Sequence, residues 1–397
     1  MSPVYIDDLR ALRQFCQTLE GETILGLDTE FIPELTYSPR LELVQIATRD
    51  GSTTIVDYGV IGRVDHDPLA PILTDPNVLK VFHSAYGDLL VLQPLADKPL
   101  GPIWDTQLVT KLFDYRGGTR YGAVVESLLG ERVASGQSLT DWSKRPLSAQ
   151  QLEYAAEDVR YLIALYQVQR GKLEALGRVR WAEEECQQVV ADVMEALAAR
   201  ADESTLYRGV RGSQSLDRRS LAILRELAIW RDREARRRDR PPRSIFKDDM
   251  LVQVARRAPQ HVRQLGEFRA ITPRDQDKFG SDILQAVDRG KRVPEDKCPP
   301  LLASEPTLSD QEAALASLLS AALQQLAHKH RVSSTLIATM SDLHRMVDAH
   351  LHSGSAASPV LTGWRGELVG KELLAIMNGE AGVRWDPRTR SIRMEAE

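Results

Sequence analysis

A chain of 397 residues, 43% of them hydrophobic, exceeds what a single core supports and has material for two or three. Three cysteines, Cys16, Cys186 and Cys298, are far apart, odd in number and in no C-x-x-C pair, which argues against a disulfide framework or cysteine zinc site and fits a reducing, cytoplasmic compartment. The N-terminus lacks a basic start followed by an apolar stretch, no run is apolar enough to span a bilayer, and the formal net charge of −5 is not that of a typical nucleic-acid binder.

The first strand signal is the apolar run 24–31, where Asp28 and Glu30 interrupt an otherwise buried pattern. A strand's period of two points both acids to one face, and such a pair needs cations to offset its repulsion and desolvation. Residues 41–48 and 53–57 read as two further strands, with turn signals at Ser38-Pro39-Arg40 and Asp50-Gly51-Ser52, so the three pair as a meander. Residues 78–83 read as a strand ending at His83, with Asp88 in the next turn or first helical turn, and a shorter strand lies around Ile103-Trp104. Helices are expected over 150–176 and 181–199. In the first of these, Tyr154 and Asp158 stand four apart and project from one side.

Beyond a hinge at 207–213, the stretch 216–292 is helical, with apolar stripes at Leu221, Leu224, Leu227 and at Met250, Leu251, Val254. Between the stripes lie Arg231, Arg233, Arg236, Arg237, Arg238, Arg240, Arg243 and Lys247, interrupted by Asp232, Glu234 and Asp239. A charge run of this kind reads either as a solvated helix face or as an electrostatic grip on nucleic acid. A proline-rich linker at 293–300 precedes a last helical stretch, 309–379. There Trp364 reads as a core anchor ahead of a base-stacking platform. The histidines His328, His330, His344, His350 and His352 have no cysteine near, so a zinc cluster is discounted. No G-x-x-x-x-G-K-[ST] loop is present, which argues against a nucleoside triphosphate as partner.

Taken together, Asp28-Thr29-Glu30-Phe31, Leu41-x-Leu43-x-Gln45-Ile46-Ala47, His83 with Asp88, Trp104-Asp105-Thr106-Gln107 and the block from Asp141-Trp142-Ser143-Lys144-Arg145-Pro146-Leu147 to Tyr154-Ala155-Ala156-Glu157-Asp158-Val159 resemble the ribonuclease D family, the tyrosine-bearing branch of the DEDD exonucleases. One departure shows: Ala134-Ser135 stands where the family often carries Asp-Lys. Residues 228–249 resemble the helical HRDC domain shared by RecQ-type helicases and ribonuclease D, and 363–374 resemble its degenerate second copy.

The resemblance implies an α/β plus all-α architecture, a ribonuclease H-like mixed sheet with flanking helices over 1–205, then HRDC-type helical domains over 213–293 and 305–382. It implies a 3′→5′ exoribonuclease trimming structured RNA such as tRNA precursors, with two divalent cations, Mg²⁺ or Mn²⁺, and release of nucleoside 5′-monophosphates. Asp28, Glu30, Asp88 and Asp158 become metal ligands. Tyr154 orients or deprotonates the water, and with a phenol pKa of about 10 orientation is favoured. Phe31, Gln45 and His83, with Arg236, Arg237 and Arg238 on the helical domain, become substrate contacts. A DNA-directed exonuclease would share every catalytic residue, and a non-catalytic nucleic-acid adaptor would keep the fold alone.

Overall fold

Short runs rich in leucine and β-branched residues form six strands within the first 105 residues: β1 (Val4–Ile6), β2 (Ile24–Ile32), β3 (Arg40–Ala47), β4 (Thr53–Asp57), β5 (Leu79–Phe82) and β6 (Ile103–Asp105). In this computed structural model all residues are described except 1–2, 33–35, 115–118, 134–139, 270, 303–305, 354–357 and 397. The Ala134-Ser135 departure therefore lies outside the described residues. The strands form one mixed sheet in the order β1-β4-β3-β2-β5-β6. The expected meander is present, β2 with β3 and β3 with β4 antiparallel, while β5 and β6 extend the sheet in parallel. β1 has no counterpart among the expected strands. It is three residues long with Val4 exposed, too short for a period to register, and it pairs in parallel with β4.

Helices α1 (Leu9–Thr18), α2 (Tyr86–Leu92), α3 (Thr106–Thr110), α4 (Tyr121–Leu129), α5 (Ala149–Arg160), α6 (Leu162–Leu176) and α7 (Val179–Ala201) flank the sheet. The single helical pattern over 150–176 is broken at Tyr161, whose backbone leaves the helix at φ −104° and ψ 0°. The Tyr121 hydroxyl occupies the gap. It donates to the Glu157 carbonyl at 3.2 Å and accepts from the Tyr161 amide at 3.1 Å, the two groups that an unbroken helix would join.

Farther on, α8 (Arg218–Arg238), α9 (Asp248–Arg257) and α10 (Pro273–Lys291) enclose a core of their own, in which both apolar stripes are buried. Trp230 sits edge-on to Phe246 and Phe279, ring centroids 5.7 and 5.5 Å away. This unit is held to the sheet region by Tyr37. The Tyr37 ring lies between the Arg200 and Arg236 guanidinium groups, each 4.9 Å from its centroid. Its hydroxyl donates to Asp232 at 2.7 Å, its amide donates to Asp239 at 3.1 Å, and Arg200 donates to its carbonyl.

The last helices, α11 (Asp310–His330), α12 (Met340–Asp348) and α13 (Lys371–Met377), lead into a hairpin, β7 (Ala381–Asp386) and β8 (Ser391–Ala396), which runs past the boundary expected at 382. Their core is continuous with that of the sheet region. At the junction Trp364, 3% exposed, stacks on Trp181 of α7 with centroids 5.0 Å apart. Its indole donates to Glu185 at 2.9 Å, and Arg365 bonds both oxygens of that carboxylate at 2.6 and 2.9 Å. Trp364 is a packing residue, the favoured reading of the sequence. Among the described residues no helix is long and apolar enough to cross a membrane.

Candidate active site

Three segments, β2, α2 and α5, place their acids around the end of β2. Asp28 and Glu30 alternate with buried Thr29 along the strand. Two residues before Asp28 on the same face is Gly26, where a Cβ would stand 3.1 Å from the Leu162 Cβ and 3.3 Å from the Val159 carbonyl oxygen. Glycine there lets the junction of α5 and α6 rest directly on the strand, which brings Asp158 beside Asp28.

On the neighbouring side, Asp88 lies in the first turn of α2 and accepts from the Thr29 hydroxyl at 2.5 Å. The turn before α2 is pinned by Asp105. Its carboxylate caps α3 at Gln107 and Leu108 and also accepts from the Ser84 and Ala85 amides, both at 2.9 Å. The Trp104-Asp105-Thr106-Gln107 motif thus acts on the site through the backbone that carries Asp88. Arg145 does the same for α5: its guanidinium holds both oxygens of buried Asp57 at 2.5 Å and the Trp142 carbonyl at 2.6 Å, fixing the approach to the Ser148 cap.

The consequence is a crowded field of negative charge. Burial first, then Asp88, Asp158 and Glu30, hold the Asp28 carboxyl well above the ordinary carboxylate range. Glu30 is pushed up to about 8 by burial and by Asp158 and Asp88. Asp88 and Asp158 are each pushed up to about 7 mainly by burial, against the lowering effect of the Thr29 and Tyr154 hydroxyls respectively. Tyr154 is raised in turn by burial and by the acids around it, so it remains a phenol one helical turn before Asp158. Gln45 stands opposite Asp28 in the β2–β3 register, fully buried, with neither amide atom partnered.

This set fits hard divalent cations. Oxygen donors are what Mg²⁺ and Mn²⁺ take, and added positive charge relieves a repulsion that otherwise favours protonation. Among the described residues no three His, Cys, Asp or Glu side chains form a closed coordination sphere, here or in the histidine-rich C-terminal region. The acids share one field without yet converging on a point.

Of the other sequence candidates, the Phe31 ring packs over Gly87 at the start of α2, within ordinary contact of where a Cβ would be. His83 is held at both ring nitrogens, by the Thr106 hydroxyl at 2.9 Å and the Thr119 carbonyl at 2.7 Å, and burial lowers its pKa. Arg236 pairs with Asp232 at 2.7 Å, and Arg237 and Arg238 pair with Glu234. These arginines lie on α8, apart from the acids. Sequence reasoning gave no role to Thr29 or Tyr121, and placed Asp105 and Arg145 only inside motifs. Their tasks rest on partners 59, 36, 21 and 88 residues away.

A mixed sheet bearing this acid cluster and a tyrosine defines a metal-dependent 3′→5′ exonuclease of the DEDD superfamily. Residues 3–174 match the family described as 3′-5′ exonuclease, and residues 220–287 match the HRDC domain. Ribonuclease D of Granulibacter bethesdensis is 31% identical over 380 residues, covering 96% of this chain and 93% of that one. Ribonuclease D of Gluconacetobacter diazotrophicus is 33% identical over 378 residues, covering 95% and 93%. The crystal structure of Escherichia coli RNase D, an exoribonuclease involved in structured RNA processing, superposes with a TM-score of 0.82 at 27% identity, covering 96% of this chain and 99% of that one. The chain belongs to the ribonuclease D family and is a 3′→5′ exoribonuclease whose chemistry depends on divalent metal ions.

Proposed function

We propose that the chain trims structured RNA from the 3′ end, tRNA precursors in particular, in the cytoplasm, releasing nucleoside 5′-monophosphates one at a time. The observation that carries this reading is the gathering of Asp28, Glu30, Asp88 and Asp158 into one repulsive field. Asp28, Glu30, Asp88 and Asp158 would hold the two ions between them. Bound Mg²⁺ or Mn²⁺ would supply Lewis-acid charge for acidifying a water and neutralising the scissile phosphate.

The protein's own contribution is placement. Tyr154, one helical turn before Asp158, keeps its proton and offers its oxygen lone pairs to orient the attacking water. Phe31, packed over Gly87, is assigned to the face of the terminal nucleotide. Gln45, with an unpartnered amide opposite Asp28, is assigned to a polar group entering the site. His83 supports the wall of the site through Thr106 and Thr119, and Arg236, Arg237 and Arg238 add positive charge on the helical domain.

Digestion of end-labelled tRNA precursor, single-stranded RNA and single-stranded DNA, with and without each metal, tests the proposal. It expects metal-dependent release of 5′-monophosphates from RNA, and a block by a 3′ phosphate. Equal rates on DNA would move the substrate class, and cleavage of circular RNA would refute exonucleolytic action.

A further inference from the structure

The break between α5 and α6 falls three residues after Asp158, so whatever fixes the break also fixes the last turn of the helix that carries Tyr154 and Asp158. A continuous helix would close the Glu157 carbonyl onto the Tyr161 amide with no outside help. Here the Tyr121 hydroxyl is inserted between them, donating to the carbonyl and accepting from the amide, which it shares with the Val159 carbonyl. The hydroxyl is itself anchored: Tyr121 opens α4, and its ring stands edge-on to His83 with centroids 5.4 Å apart. His83 is tied to Thr106 and Thr119. On the opposite side the same junction is seated on Gly26, through Val159 and Leu162.

We propose that Tyr121 is a positioning residue for the hydrolytic step, its hydroxyl wedging the α5–α6 junction open so that Tyr154 and Asp158 are aimed at Asp28. A hydroxyl serving only its own burial could bond any carbonyl. This one displaces a helical bond, and does so where the chain turns from the site back over the sheet. The inference rests on the reading that Tyr154 and Asp158 act in hydrolysis.

Tyr121→Phe removes one oxygen and leaves the ring against His83. Single-turnover and steady-state rates on a short single-stranded RNA, with the melting midpoint measured in parallel, read the effect. The expected result is a fall in kcat of about tenfold at saturating metal with KM changed by less than about twofold, since an ångström of misplacement at a reacting group costs up to about a hundredfold. The fall should shrink to less than about half in logarithmic terms when the substitution is made in a Tyr154→Phe background, because residues acting through one another are not additive. A kcat per folded molecule within about twofold of the parent, or full additivity with Tyr154→Phe, overturns the inference. Asp158→Asn distinguishes the two levels: if it abolishes turnover while Tyr121→Phe does not, only the positioning role fails, whereas if it leaves turnover intact the catalytic reading itself is lost.

Discussion

Asp158→Asn should make the metal-free protein more stable while it destroys activity. Burial holds the Asp158 carboxyl up to about 7, against an ordinary value of 3.8. A carboxyl raised in this way binds a proton in the folded state that the unfolded chain has already released. Wild-type stability therefore declines as pH rises from about 4 to about 7 and stays low above that. The full displacement is worth about 4 kcal/mol, which is the ceiling on the gain from deleting the charge. Asparagine keeps the volume but still buries an amide, so about 1–3 kcal/mol is expected near pH 8, and close to none near pH 4, where the acid is already neutral. For a unit of this size that is a rise of several degrees in melting midpoint. Saturating Mg²⁺ should cancel or reverse the difference, because an ion at about a hundred times its dissociation constant adds about 2.7 kcal/mol to the protein that still binds it. Calorimetric melts of both proteins near pH 4 and pH 8, each with chelator and with Mg²⁺, decide the matter. A variant that melts no higher than wild type near pH 8 in chelator would refute the repulsive-field account of the site.

Tyr154→Phe should lower kcat by about tenfold to a hundredfold with metal affinity little changed, as titration calorimetry beside single-turnover rates would show, because only a water-orienting hydroxyl among the acids is lost. Metal affinity itself should fall as pH drops below about 7, with protons released on binding, measured by calorimetry in buffers of different ionisation enthalpy. Replacing Arg236, Arg237 and Arg238 by Ala should weaken tRNA-sized substrates and flatten the salt dependence of binding by less than about 0.7 per residue, since each arginine is already paired with an acid on its own helix. Trp364→Ala should cost about 3–5 kcal/mol in a melt, through the lost stack on Trp181 and the bond to Glu185.

What the sequence disclosed was whatever a local period encodes. The meander of β2, β3 and β4, the shared face of Asp28 and Glu30, and the four-residue step from Tyr154 to Asp158 each follow from residue spacing and recur in the structure. What it withheld depends on distant partners. The helical pattern across Tyr161 is unbroken in sequence, and only a hydroxyl arriving from Tyr121 interrupts it. The arginines of α8 are a different case: their counter-charges Asp232 and Glu234 stand three and four residues away and are visible in sequence, but that both acids are buried beside them is a fact of the fold. The terminal hairpin gives only a faint period in sequence, because Ala381, Val383 and Met394 are its apolar inward residues and charged side chains stand between them.

The two helical units are fastened to the nuclease by unlike means, and this bears on how the gene can be cut. The first has a separate core, and the contacts described between it and the nuclease are polar ones, around Tyr37 and between Arg233 and Glu203, so excising or transplanting it would uncover little oily surface. The second continues the nuclease's own interior. A truncated chain ending after α7 would lay bare Trp181 and the side chains beside it that now pack into that common interior, and we expect it to aggregate where removal of the first unit alone leaves a soluble enzyme. In recombination between relatives, the nuclease and its last helices should therefore travel as a pair, with the middle unit the exchangeable cassette.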